Sequence, residues 1–340
     1  MEIRQLLIIA ICILVLGGCS SALTTTDTPV STSTPPPQTI VTQTPNPSPT
    51  PVISTSKNDQ DNSLEDSKAH HHAAFYNAAT DGNYSLALEE IEKAMEIRTD
   101  LQDYYHRGHI YHMQNEIELA IADYSYMISN APRNISTYPW IIMSLVNRGI
   151  LHGNSGEYES EIADFSQAIE YDLELKNLGE KTPQYYESWE LYSNRCSAYV
   201  AIAEAKALED CGKAAELNPS AYTFYKLAAV HAELGNHKTA IEYYSQVISL
   251  DPNDNDALYN RGKSYSKISK HFQAINDLSA VISRDPNRAG AYYNRAKNYL
   301  ILGDKEIALA DINKAISLDN SPFNRVVYQE ALELINSLPD

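Results

Sequence analysis

The chain has 340 residues, of which 44 are Asp or Glu and 26 are Lys or Arg, so its formal net charge is −18 and its pI is near 4.9. That balance excludes nucleic acid as a natural partner, because a polyanion is repelled by such a field. No phosphate-cradling glycine loop, zinc-ligand spacing or nucleophile elbow occurs, which argues against an enzyme, and nothing in the pattern calls for a cofactor.

At the N-terminus, Met1 to Ser20 read as one basic residue followed by an apolar run that ends sharply at Gly17-Gly18-Cys19. The run is too short for an ordinary membrane span and fits a secretory signal over residues 1–18. Its ending, Leu16-Gly17-Gly18-Cys19, is similar to the lipobox of bacterial lipoproteins. The resemblance implies cleavage after Gly18 and acylation of Cys19. The remainder is then anchored by lipid to a membrane of the bacterial cell envelope, on its extracytoplasmic side. Residues 19–67 are rich in Thr, Pro and Ser, as in Thr34-Pro35-Pro36-Pro37, and cannot bury enough apolar surface to fold. They are expected to act as a disordered tether with a coil dimension of roughly 40 Å.

From Lys68 onward a two-helix pattern recurs. In Asn255 to Arg288, apolar and small residues fall at helical spacing on Leu258, Gly262 and Tyr265, and again on Ala274, Ile275, Leu278 and Ile282. Asn255 and Asp256 are placed to cap the first helix, and Asp285-Pro286 ends the second. Small residues twelve apart, Gly108/Ala120, Ala228/Ala240, Gly262/Ala274 and Ala296/Ala308, mark where two antiparallel helices approach closely. A period near 34 residues predicts a helical solenoid. Arginine is followed sixteen residues later by aspartate at Arg107/Asp123, Arg148/Asp164, Arg261/Asp277 and Arg295/Asp311, and fifteen later at Arg195/Asp210. The unit from Ala221 has Leu227 and Tyr243 instead, and this joint absence predicts that the two side chains pair across each hairpin.

These features resemble the tetratricopeptide repeat family: Gly or Ala then Tyr in the first helix, as in Gly262 and Tyr265, Gly in turns at Gly156, Gly235 and Gly303, and Pro at Pro132, Pro219, Pro252 and Pro286. About seven units begin near Lys68, Leu101, Met143, Trp189, Ala221, Asn255 and Ala289. The resemblance implies an all-α, right-handed superhelical solenoid over 68–322, closed by a capping helix over 323–340 that buries Val326, Val327, Ala331, Leu332 and Ile335. It also implies a groove that binds a protein or peptide, lined by Tyr105, His109, Tyr225, Tyr259, Lys263, Tyr293 and Lys297. The Asn/Lys/Arg carboxylate clamp of the family's chaperone-binding members is not fully matched, since Asn147, Asn260 and Asn294 sit beside arginines.

Four irregularities interrupt the pattern. The register slips by about seven residues before Met143, which predicts a first helix lengthened by about two turns and opened by Ser136 or Thr137. A second slip between Lys176 and Ser188 is expected to lengthen the helix that follows it from Thr182-Pro183. Trp140 and Trp189 flank these slips, either filling gaps or forming an aromatic partner surface. In the fourth unit Cys196 follows Arg195 and Cys211 follows Asp210, so the thiols are neighbours if the ion pair forms. They are then either two buried thiols or a disulfide worth about 3 kcal/mol. Two rival functions draw on other residues: a glycan or cell-wall module stacking sugars on the Tyr and Trp rungs, and a metal-binding protein using His70, His71, His72, His106, His109 and His112.

Overall fold

The computed structural model describes residues 59–179, 186–319 and 321–337. Cys19 and nearly all of the tether lie outside them. Fifteen α-helices and no strand occur among the described residues, arranged as seven antiparallel hairpins and a final helix. They divide between Pro219 and Ser220 into two compact units.

The first unit holds α1 (Asp59–Thr80), α2 (Tyr84–Ile97), α3 (Leu101–Met113), α4 (Ile117–Asn130), α5 (Tyr138–Asn154), α6 (Tyr158–Asn177), α7 (Ser188–Ala201) and α8 (Ala207–Leu217). Helix α1 starts nine residues before Lys68, where Asp59, Asp61 and the following acids suit a helix N-terminus. Helix α5 has 17 residues against 13 in α3, a lengthening of about one turn. The second slip extends the helix before it, not the one after: α6 has 20 residues and α7 begins only at Ser188. The added turns of α6 are held by Leu175 in the core, by the Tyr171 ring stacked on Tyr138 at 5.1 Å, and by Lys176 bound to Asp172 at 2.9 Å. Thr182 and Pro183 lie outside the described residues.

The second unit holds α9 (Ala221–Glu233), α10 (His237–Leu250), α11 (Asn255–Lys267), α12 (His271–Arg284), α13 (Ala289–Leu302), α14 (Lys305–Leu318) and α15 (Pro322–Ser337). The cap of α11 is Asp254, whose carboxylate accepts from the Ala257 amide at 2.8 Å, one residue earlier than the sequence suggests. Helix α15 covers the end of the array with Tyr328, Ala331 and Ile335, whereas Val326 faces solvent. Tyr328 escapes a reading based on aliphatic residues alone.

Within each hairpin the small residues do what their spacing implies. A Cβ built on Gly108 would stand 3.1 Å from the Tyr124 ring, and one on Gly262 would stand 3.1 Å from Leu278. Each of the seven hairpin turns passes through one residue with positive φ. Gly82, Gly156, Gly235 and Gly303 fill four of these positions, and Asn115, Ala203 and Ser269 fill the others.

Candidate functional site

The arginines and aspartates singled out in the sequence meet in all five hairpins. In α11 and α12 the Arg261 Nε and Nη2 each donate to Asp277 at 2.8 Å, and the same two-pronged contact joins Arg107 to Asp123, Arg148 to Asp164, Arg195 to Asp210 and Arg295 to Asp311. The third nitrogen, Nη1, reaches back to a serine of the preceding hairpin wherever one stands two residues after the aspartate position. Arg148 donates to Ser125 at 2.8 Å, Arg195 to Ser166, Arg261 to Ser245 and Arg295 to Ser279, each at 3.0 Å. These four guanidiniums therefore tie their own hairpins to their predecessors, whereas Arg107 holds Asp123 alone. Leu227 has no such role, and the fourth hairpin carries Gly212 in the serine position. Next to this clamp Cys196 and Cys211 form a disulfide between α7 and α8, with their Cα atoms 5.4 Å apart. This decides between the two alternatives left by the sequence.

The groove residues predicted in the first unit are packed away. Tyr105 is 2 % exposed, against Tyr124 and beneath Trp140, whose ring meets it edge-on at 5.5 Å. His109 lies parallel to Tyr105 at 6.3 Å and its Nδ1 is buried without a partner among the described residues. Trp140 also meets His106 at 5.3 Å and is half-buried. Trp189 is likewise half-buried. Both tryptophans thus keep part of their surface accessible, and Trp140 packs against the core as well. A groove through Tyr105 fails because its apolar ring lies where two helices and Trp140 close over it.

The histidines separate into individual contacts. His71 pairs with Glu90 at 2.7 Å, His72 with Asp103 at 2.9 Å, and His106 with the Tyr76 hydroxyl at 3.1 Å. Among the described residues they gather no group of three metal-ligating side chains. Burial pushes the His106 pKa down to about 3 and that of His109 to about 4, with neighbouring histidines adding to both shifts. Burial also pushes Asp103 up, but hydrogen bonds from His72, the Asp100 amide and Lys68 outweigh it and hold the carboxyl below its usual range.

In the second unit three of the residues named from the sequence, Tyr225, Tyr259 and Lys263, line one recess, and Tyr293 and Lys297 stand outside its lining. A cavity of about 330 Å³ opens between α9, α10 and α11, lined by Tyr225, Tyr244, Tyr259, Glu233, His237, Lys263, Lys267 and Arg288 among others. Tyr225 and Tyr259 stand one repeat apart and are fixed by the following hairpin: Asn260 donates to the Tyr225 hydroxyl at 2.8 Å and Asn294 to the Tyr259 hydroxyl at 2.9 Å. Gly290 leaves room for this, since a Cβ there would stand 2.9 Å from the Tyr259 oxygen. The Arg288 guanidinium lies over the Tyr259 ring at 4.2 Å while binding Asp256 at 2.6 Å. Tyr293 packs on Tyr328 at 5.0 Å. Tyr225 and Tyr259 are thus walls with occupied hydroxyls, and the rings of Tyr259 and Tyr293 are partly covered, which leaves little aromatic surface for a sugar.

What the recess leaves open is positive charge. Lys263 lies over Tyr259 at 5.5 Å and Lys297 over Tyr293 at 5.3 Å, and neither has a carboxylate partner among the described residues. The surrounding protein lowers the Lys263 pKa, and Lys267 and Arg288 lower it further. Lys297 is lowered in the same way, with Lys267 and Lys263 contributing. Glu233, at the same recess, has its pKa raised by burial, against the pull of Lys263. Sequence reading finds the 34-residue Tyr/Lys rungs but misses Lys267, Arg288 and Glu233, since only the fold brings them to the same recess.

Comparison with known proteins follows this geometry. Residues 221–254, 256–288 and 289–322 each match the family described as tetratricopeptide repeat. Together these three matches span residues 221–322. The crystal structure of a tetratricopeptide repeat protein from Parabacteroides merdae matches at a TM-score of 0.51 and 23 % identity, covering 80 % of this chain and 100 % of that one. The C-terminal part of a TPR repeat-containing protein from Cytophaga hutchinsonii matches at a TM-score of 0.56 and 17 % identity, covering 77 % and 98 %. Both speak for the fold alone. Among curated relatives, DnaJ homolog subfamily C member 3 of Gallus gallus is 22 % identical over 233 residues, 60 % of this chain and 43 % of that protein. Photosystem I assembly protein Ycf3 of Cyanophora paradoxa is 31 % identical over 105 residues, 30 % of this chain and 59 % of that one. Mitochondrial import receptor subunit TOM70 of Mus musculus is 30 % identical over 112 residues, 32 % of this chain and 17 % of that one. The chain spans less than two thirds of the length of each of these three relatives.

Proposed function

We propose that this protein is a lipid-anchored scaffold whose tetratricopeptide repeats bind a protein or peptide segment at the recess of residues 225–297, outside the cytoplasm, in the assembly of an envelope complex. The observation that carries the reading is the recess itself, built on two successive repeats, with rigid tyrosine walls and unpaired lysines at its mouth. Proteins that recognise a segment of another chain use such preformed concave surfaces with a few placed polar groups. Two of the relatives are named for acting on other proteins, one as an assembly protein and one as an import receptor, which supports a binding role over a catalytic one. The anchor rests on Leu16-Gly17-Gly18-Cys19, and the Thr/Pro/Ser-rich stretch after it supplies reach.

The test is site-specific photocrosslinking in the living host, with a photoreactive residue at Lys263 or, on a helix that does not line the recess with that residue, at Glu242. A defined protein captured from Lys263 and not from Glu242 is expected. Equal or absent capture at both positions overturns the groove reading. Incorporation of labelled palmitate that persists in Cys19→Ala overturns the anchor.

A further inference from the structure

The groove reading leaves the chemistry of the bound segment open, and the charges around the recess narrow it. The arginines here are all spoken for: Arg261 holds Asp277, Arg288 holds Asp256 and Arg295 holds Asp311. Lys263, Lys267 and Lys297 have no such partner among the described residues, in a chain where acidic residues outnumber basic ones by 44 to 26. Two of them, Lys263 and Lys267, line the recess, and Lys297 stands one repeat on, near enough to feel both. Burial above all lowers the pKa of Lys263 and Lys297, and repulsion from Lys267 adds to both.

Spacing adds a second constraint. Lys267 follows Lys263 by one helical turn, and Lys297 follows Lys263 by one repeat. A single compact anion relieves one point of this array, whereas a chain bearing several negative groups relieves it along its length. Lysine is a compact charge on a flexible stem and imposes no planar two-point geometry, so it accepts carboxylates presented at varied angles. Resting on the groove reading above, we infer that the recess takes an acidic peptide segment, at least two of whose Asp or Glu carboxylates bind Lys263, Lys267 and Lys297. Glu233 is the resident competitor. It lines the same recess and interacts electrostatically with Lys263, and an incoming carboxylate takes over that neighbourhood, so Glu233 sets a threshold that a weakly acidic segment does not cross.

The test is calorimetric titration of the full chain with a blocked twelve-residue peptide of alternating Glu and Ser, its Gln-for-Glu counterpart, and inorganic tripolyphosphate. Binding of the Glu peptide at least about tenfold tighter than the Gln peptide is expected, lost in Lys263→Gln/Lys297→Gln and strengthened severalfold in Glu233→Gln. Circular dichroism confirms that each variant keeps its helices. No binding of the Glu peptide, equal affinity for both peptides, or an unchanged Lys263→Gln/Lys297→Gln variant overturns the inference. Tripolyphosphate binding as tight as the Glu peptide also overturns it, reducing the site to one for anions of any kind. The groove reading is decided separately: a partner crosslinked from Lys263 through a segment without Asp or Glu sinks the acidic-peptide assignment and leaves the groove standing.

Discussion

At the scale of single residues, one guanidinium with three hydrogen bonds, two to an aspartate and one to a serine, links neighbouring hairpins beside their apolar packing. The Arg261 side chain is 18 % exposed and that of Asp277 10 %, so removing one partner strands a mostly enclosed charge. Asp277→Ala is expected to cost about 2–4 kcal/mol in chemical denaturation. The fifth hairpin shows how the chain does without the pair, with Leu227 buried and Tyr243 half-buried in its place. Arg261→Leu/Asp277→Tyr should therefore recover most of that loss, and a double variant no better than Asp277→Ala would show that the clamp is not replaceable by packing. The sixteen-residue spacing made this pair legible in the sequence. The serine that completes it was also there, two residues after Asp123, Asp164 and Asp277, but a partner in the next repeat leaves no signature within one repeat. Tyr105 was misplaced for a related reason: helical register says which face a ring is on, not what closes over it. The buried histidines give a pH dependence. His106 and His109 stay neutral when folded and take up protons when unfolded, so stability falls as pH drops below about 6.5 and keeps falling toward their depressed folded values. Each contributes about 1.4 kcal/mol per pH unit across that window. Melting curves of His106→Phe between pH 6.5 and 5 should show a correspondingly shallower slope; an unchanged slope would place the proton uptake elsewhere.

At the scale of helices and turns, the repeat tolerates substitution where the backbone asks for glycine. Ser269 holds φ 59° and Ala203 φ 55° in positions that Gly156 and Gly235 occupy in other hairpins. A side chain in this region costs about 1 kcal/mol or more. Ser269→Gly is therefore expected to raise the stability of the second unit by about 0.5–1 kcal/mol, measured by urea denaturation, because relief of the strained turn exceeds the added chain entropy. The glycine pattern was readable at Gly156, Gly235 and Gly303; at Ala203 and Ser269 the fold overrides the local preference, and only the dihedral reveals the turn. Helix lengths were the least legible elements. The insertion after Lys176 could extend either neighbour, and Leu175 in the core with Tyr171 on Tyr138 decides for α6.

At the scale of the whole molecule, charge and repetition act together. A formal charge of −18 repels polyanions that come within the roughly 8 Å screening length of physiological salt anywhere along the surface, while the lysines of the recess act only at contact. A short acidic segment held near by other means can thus dock where a long polyanion is turned away. The hairpin count, the repeat length and the Tyr/Lys rungs all followed from periodicity. The charged mouth of the recess did not, because Glu233, Lys267 and Arg288 come from three hairpins and converge only after stacking. The clamp also acts as a joining rule. A hairpin that carries the arginine can take a serine from the hairpin before it, and Ser245 and Ser279 supply one to Arg261 and Arg295 in succession. The segment 255–288 carries both halves of that rule, so a tandem copy of it is self-compatible and the array can grow by duplication at that point. The hairpin from Ala221 carries Leu227 where the others carry the arginine and still supplies Ser245 to its successor, so the three hairpins that start there form a run in which every arginine finds its serine.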